Sequence, residues 1–178
     1  QRRCPVWQLQ ADPADVARWI EPLGEALARA DAFRGCALRA AIRADEGFLY
    51  SLHREAMREY VEATWGWNEN WQRAHFAAHY APLHNVVIVR AGAAAADIGR
   101  ISLTRHWRWF FLRDIELSAA ERGRGIGTAI VSAVVGLAST SERRVELNVL
   151  ACNPARHLYA RLGFRVVRDD GARLRMRT

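Results

Sequence analysis

Apolar residues first recur at helical spacing. Val16, Trp19, Ile20, Leu23 and Leu27 share one face of a segment that opens with Asp12 and Pro13, an N-cap followed by proline at the first helical position. The pattern predicts an amphipathic helix over residues 12 to 30. After Gly35 the apolar run from Cys36 to Ile42 predicts a strand, and Phe48, Leu49, Leu52 and Met57 make the stripe of a second helix over 46 to 63. A tryptophan-rich bend, Trp65 to Trp71, leads into a third helix over 71 to 79. The period then changes from helical to strand-like. Residues 85 to 90, 98 to 104 and 109 to 117 predict three antiparallel neighbours. Next come an apolar helix over 127 to 138, a strand over 145 to 150, a helix over 154 to 162, and terminal strands near 164 to 167 and 173 to 176. This order predicts an α/β (α+β) fold, with a mixed, mostly antiparallel central sheet of about six or seven strands flanked by helices.

Composition narrows the class. A chain of 178 residues, 51% of them apolar and 25% charged, suits one globular domain with a real core. No window reaches the roughly 18 apolar residues of a membrane span, and Gln1 to Pro5 is not followed by a signal-peptide core. The expectation is a soluble, cytoplasmic protein without a membrane partner. Cys4, Cys36 and Cys152 lack C-x-x-C spacing and suggest neither a disulfide framework nor a zinc site. All 26 basic residues are arginine and the net charge is +7. A GC-rich genome would produce that bias without functional meaning, yet the field it creates favours anionic ligands. Nucleic acid is disfavoured, because no aromatic and basic motif of a binding module is present.

The most informative stretch is Arg122, Gly123, Arg124, Gly125, Ile126, Gly127 and Thr128, after a predicted strand and before a predicted helix. Glycines let the backbone turn tightly beside a ligand, and the unpaired amides at a helix start favour a pyrophosphate. Arg122 and Arg124 can add charge-assisted hydrogen bonds. The stretch has no lysine for a Walker A loop, and its glycines do not have dinucleotide-binding spacing.

Arg122, Gly125 and Gly127 match [QR]-x-x-G-x-[GA], and Asn153-Pro154 opens a segment that carries Tyr159 and ends in Gly163-Phe164. With both motifs at the proper separation, the chain resembles the Gcn5-related N-acetyltransferases over residues 35 to 178. Residues 1 to 34 stand outside the resemblance as an N-terminal helical extension that could cover the sheet or mediate a homodimer. Ser118 to Glu121 departs from the family's usual proline and aromatic residue before the turn. The resemblance implies an acetyl-CoA-dependent N-acetyltransferase acting on a primary amine, small molecule or peptide, in a ternary complex. It implies two splayed strands, 109 to 117 and 145 to 150, whose gap takes the pantetheine arm. Ile115 and Leu117 would then supply backbone groups, Arg122 to Thr128 the pyrophosphate cradle, and Asn153 a contact to the mobile arm. A non-catalytic acyl-CoA-binding module is the alternative.

Amine attack on a thioester calls for a proton acceptor and a donor to the departing thiolate. The resemblance makes Tyr159 the acid. Glu116 and Glu146, on the two splayed strands, are candidate bases acting through water, with Asp114 or bulk solvent as the other possibilities. Some relatives carry a glutamate where this chain has Asn148. Asn153 before Pro154 also reads as an N-cap. His75 and His79 have the spacing of a zinc pair, but no third ligand is evident and no metal is expected. Trp65, Trp67, Trp71, Trp107 and Trp109 are either core or the wall of an acceptor pocket.

Overall fold

The computed structural model describes residues 14–92 and 95–178. Its helices are α1 Ala14–Ala28, α2 Glu46–Trp65, α3 Glu69–His79, α4 Ile126–Thr140 and α5 Ala155–Arg161. Its strands are β1 Cys36–Ala40, β2 Asn85–Arg90, β3 Ala96–Arg105, β4 Trp109–Leu117, β5 Arg144–Leu150, β6 Arg165–Asp169 and β7 Arg173–Arg177. They form one seven-stranded sheet in the order β1-β2-β3-β4-β5-β7-β6. Every neighbouring pair is antiparallel except β4 and β5. The predicted mixed, mostly antiparallel sheet is therefore what forms: short turns make β2–β3, β3–β4 and β6–β7 antiparallel, while the helix between β4 and β5 permits a parallel return.

Alternation along the strands divides the sheet into two unlike faces. Val86, Ile101, Leu103, Leu112 and Leu147 pack under α1 and α4, joining Trp19, Leu23, Leu27, Ile130, Val131 and Val134 in the main core. Each of these aliphatic side chains contributes about 1.5–3 kcal/mol by burial. The helix over 14–28 thus covers the sheet. The opposite face carries a smaller cluster, Ala41, Leu49, Leu52 and Val87, beneath α2. The remainder of that face is polar, and α2 and α3 roof it.

Several boundaries differ from the sequence expectation for local reasons. The first strand ends at Ala40 instead of Ile42 because the Asp45 carboxylate accepts from Ile42 N at 2.8 Å and from Arg39, turning the chain into a 3-10 turn. The third helix begins at Glu69, before Trp71, since Asn68 Oδ1 caps Trp71 N at 2.9 Å. The Asp12–Pro13 helix start lies outside the described residues. No described helix is long and apolar enough to cross a membrane.

Gly99 on β3 sits where the chain can spare no side chain. A Cβ there would lie 2.6 Å from the Glu116 carbonyl oxygen and 2.7 Å from Leu117 Cδ2. Gly99→Ala is expected to cost about 1–3 kcal/mol through forced displacement of β4. Urea denaturation should record a lower midpoint at unchanged slope.

Candidate active site

β4 and β5 pair only from Trp109↔Arg144 to Leu112↔Leu147. On the other side of β4 the register shifts: Leu103 faces Leu112 and Ser102 faces Asp114, so Arg113 is an extra, bulged residue. A bulge bends its strand and strengthens the local twist. Pairing with β5 stops at that point, while β5 continues against β7 as far as Leu150↔Arg173. The edge of residues 113 to 117 therefore faces an opening within the sheet. A cavity of about 730 Å³ reaches from this opening, past Ile115, Glu116, Asn148 and Leu150, to α2 and α3.

The glycine turn follows β4. Gly125 holds φ +81° and caps α4 without a side chain, leaving the first amides of the helix to an outside partner. Behind it, buried Glu121 pairs with Arg90 through both carboxylate oxygens. Arg124 approaches Glu121 at 3.4 Å, and Arg122 Nε donates to Leu117 O at 2.8 Å. Both arginines remain exposed at the turn. Gly123, Ile126, Gly127 and Thr128 complete it. Of the other residues expected to hold cofactor, Ile115 and Asn153 line the cavity, whereas Leu117 does not and spends its carbonyl on Arg122. Asn153 Oδ1 accepts from Ala155 N at 2.9 Å, starting α5.

Tyr159, on α5, lines the cavity and rests against Phe164 with ring centroids 5.8 Å apart. Burial, reinforced by the charges of Asp114 and Glu116, pushes its phenol up to about 12. It therefore stays protonated at physiological pH, able to donate. Glu116 also lines the cavity, but its oxygens are committed. Arg100 Nε donates to Oε2 at 2.7 Å, and the His53 ring Nδ1 lies 2.7 Å from Oε1. Burial opposes the charge, yet Arg100 and His53 together hold the carboxyl down at about 2. Asp114 joins Arg100 at 3.2 Å.

The second candidate base is not brought to the site. Glu146 is buried outside the cavity, with Arg175 and Arg177 on its carboxylate, and its position tethers β5 to β7. Two residues further along the strand, Asn148 does face the cavity. Sequence reading missed His53, whose carboxylate partner is 63 residues away. The available signal was its place four residues after Leu49, on the flank of the α2 stripe that meets the sheet.

Trp65, Trp71, His75, Phe76, His79 and Tyr80 form the far wall. Trp71 stacks on His75 at 4.6 Å and His75 meets His79 at 4.2 Å. Burial, then the His79 and His53 rings, lower the affinity of His75 for a proton. Arg173 lies 4.6 Å over the Trp65 ring, bridging β7 to α2. Trp67, Trp107 and Trp109 are not in the wall. Among the described residues, no group of three or more His, Cys, Asp or Glu could hold a metal ion.

The Acetyltransferase (GNAT) family matches residues 48–164, well over half of the chain. This protein belongs to that family. No curated protein matches it by sequence. Among solved structures, the PaiA N-acetyltransferase from Thermoplasma acidophilum, in complex with coenzyme A, has TM-score 0.64 and 17% identity over 80% of this chain and 98% of its own. The ribosomal-protein-S18-alanine N-acetyltransferase from Escherichia coli has TM-score 0.56 and 17% identity over 80% and 92%. Arabidopsis thaliana Naa50, in complex with a bisubstrate analogue, has TM-score 0.53 and 14% identity over 81% and 98%. At these identities the likeness is one of fold. The family match spans both diverging strands and the glycine turn between them.

The Arg100–Glu116 pair makes the polar floor of this GNAT cavity a stability element. Arg100→Met would strand a buried carboxylate and is expected to cost about 3–5 kcal/mol at neutral pH, much of it recovered in Arg100→Met/Glu116→Leu. Because the folded Glu116 carboxyl lies below its ordinary 4.5, the wild-type contribution is full above that value and is lost as pH falls toward about 2. Thermal melts across that range, compared with those of the double variant, check the sign.

Proposed function

We propose that this GNAT protein is an acetyl-CoA-dependent N-acetyltransferase that transfers acetyl to a primary amine, on a small molecule or a peptide, by direct attack in a ternary complex. The observation that carries the reading is one continuous cavity joining the β4–β5 opening to the α2–α3 wall. A thioester held in the opening and an amine held against the wall would meet at Ile115 and Tyr159. The chain's own groups fit that cosubstrate. The unpaired edge of β4 can accept a pantetheine arm as an added strand. The α4 amides, with Arg122 and Arg124 beside them, suit a pyrophosphate. The coenzyme A complex of the Thermoplasma acidophilum protein, which shares the fold, supports the same reading.

Tyr159, kept protonated, donates to the sulfur as the C–S bond breaks. Glu116 is a poor direct base because its carboxyl is held at about 2 and its oxygens are paired. The aromatic wall favours an amine carried on an apolar or aromatic body.

Calorimetric titration with acetyl-CoA tests the cofactor half. Gly125 is the wrong probe, because a side chain at its positive φ strains the turn. A Cβ on Gly127 meets nothing closer than Leu158 Cδ2 at 3.9 Å, so Gly127→Glu should fold. The wild type is expected to bind, and the variant to bind at least about tenfold more weakly, a loss of about 1.4 kcal/mol. Tyr159→Phe is expected to lower kcat on the order of 10²-fold at unchanged acetyl-CoA affinity. Binding without thiol release from any amine would identify an acyl-CoA-binding module instead.

A further inference from the structure

On the transferase reading, we propose that His53 takes the proton from the acceptor amine through its Nε2, with Glu116 and Arg100 as positioning residues. His53 is the imidazole that joins the polar floor to the cavity. Its Nδ1 lies 2.7 Å from Glu116 Oε1, and its side chain keeps 20% exposure toward a cavity that Tyr159 and Ile115 also line. A carboxylate that stays charged can only accept, so the hydrogen between them sits on Nδ1 and Nε2 is the ring nitrogen left to exchange a proton with the acceptor. Arg100 enforces this arrangement: held by Glu116 and Asp114, it leaves the Glu116 carboxylate no reason to take up a proton. Phe76 from α3 flanks the imidazole with ring centroids 5.7 Å apart and an interplanar angle of 34°. Arg100, Arg113, Asp114 and Glu116 on β3 and β4, His75 and His79 on α3, Tyr80 and His84 after it, Tyr159 on α5 and Arg173 on β7 are the charged or titratable groups that line the same cavity. The set has the logic of a base oriented by a second group that is itself fixed by a third.

The proton count closes. The ammonium gives one proton to Nε2, which passes it to solvent, and the neutral nitrogen forms the new C–N bond at the thioester carbonyl. As the C–S bond breaks, the second nitrogen proton goes to Nε2 and the Tyr159 phenol protonates the thiolate. The imidazolium then returns its proton to the phenolate through cavity water. One amide, one free thiol and one proton are the net products.

The test uses the whole chain, acetyl-CoA and three acceptors, 2-phenylethylamine, spermidine and an unblocked tetrapeptide, with thiol release as the readout. His53→Gln keeps an amide donor for Glu116 and removes the proton acceptor. With the acceptor that the wild type turns over, kcat/KM of this variant at neutral pH is expected to fall about 10²–10³-fold. The acid limb of the wild-type pH profile should disappear, while acetyl-CoA affinity stays within about twofold. Added imidazole should restore part of the activity of His53→Ala. If His53→Gln keeps kcat/KM within about threefold of wild type with the same pH profile, His53 is structural and the assignment falls while the transferase reading stands. A wild type that binds acetyl-CoA yet releases no thiol with any of the three overturns the reading, and the assignment with it.

Discussion

Parallel strands normally continue their hydrogen-bond ladder until one of them ends, but β4 and β5 part after four registered pairs in the middle of the sheet. The bulge at Arg113 and the long antiparallel contact of β5 with β7 hold the two strands on diverging courses. Backbone groups left unpaired inside a protein need another partner. The opening thus offers the free edge of β4 to an extended chain, and it is built into the sheet by backbone pairing. Every other feature of the site takes its position from it. The glycine turn follows the free end of β4, and α5 brings Tyr159 to the opposite rim.

The polar floor illustrates how one residue type serves two ends. Glu116 and Glu146 are both buried glutamates in contact with arginine. Glu146 faces two arginines of β7 and closes a cross-strand tether. Glu116 shares one arginine with Asp114 and turns its other oxygen toward a histidine at the cavity. Two carboxylates against a single guanidinium leave local negative charge at the place where an ammonium or an imidazolium would sit. Removing one partner of such a pair is costly while replacing both by apolar residues often is not, so its place beneath a cavity agrees with a role in the cavity's chemistry.

The two halves of the site are made differently. The side at the β4–β5 opening is backbone: strand edge, glycine turn and helix amides. The far wall is side chain: rings from α2 and α3, clasped to β7 by Arg173 over Trp65. Backbone architecture is what a shared fold transmits at identities below a fifth.

The strands from Asn85 to Leu117, the helix after the glycine turn and the Asn153-Pro154 start of α5 were all legible from periodicity and capping residues, since these depend on neighbours within a few positions. The glycine turn was legible for the same reason. Boundaries failed where a side chain from elsewhere intervened, as when Asp45 ended β1 early. Glu116 and Glu146 looked alike as candidate bases because strand alternation gives a face and not a neighbour. Only the folding of β3, α2 and β7 onto those strands decided that one carboxylate would meet Arg100 and His53 and the other Arg175 and Arg177. Local backbone chemistry is encoded residue by residue, so the sequence by itself determined the elements and the glycine turn. The constellation of His53, Glu116 and Arg100 joins residues up to 63 positions apart, and tertiary packing alone brings them within hydrogen-bond reach.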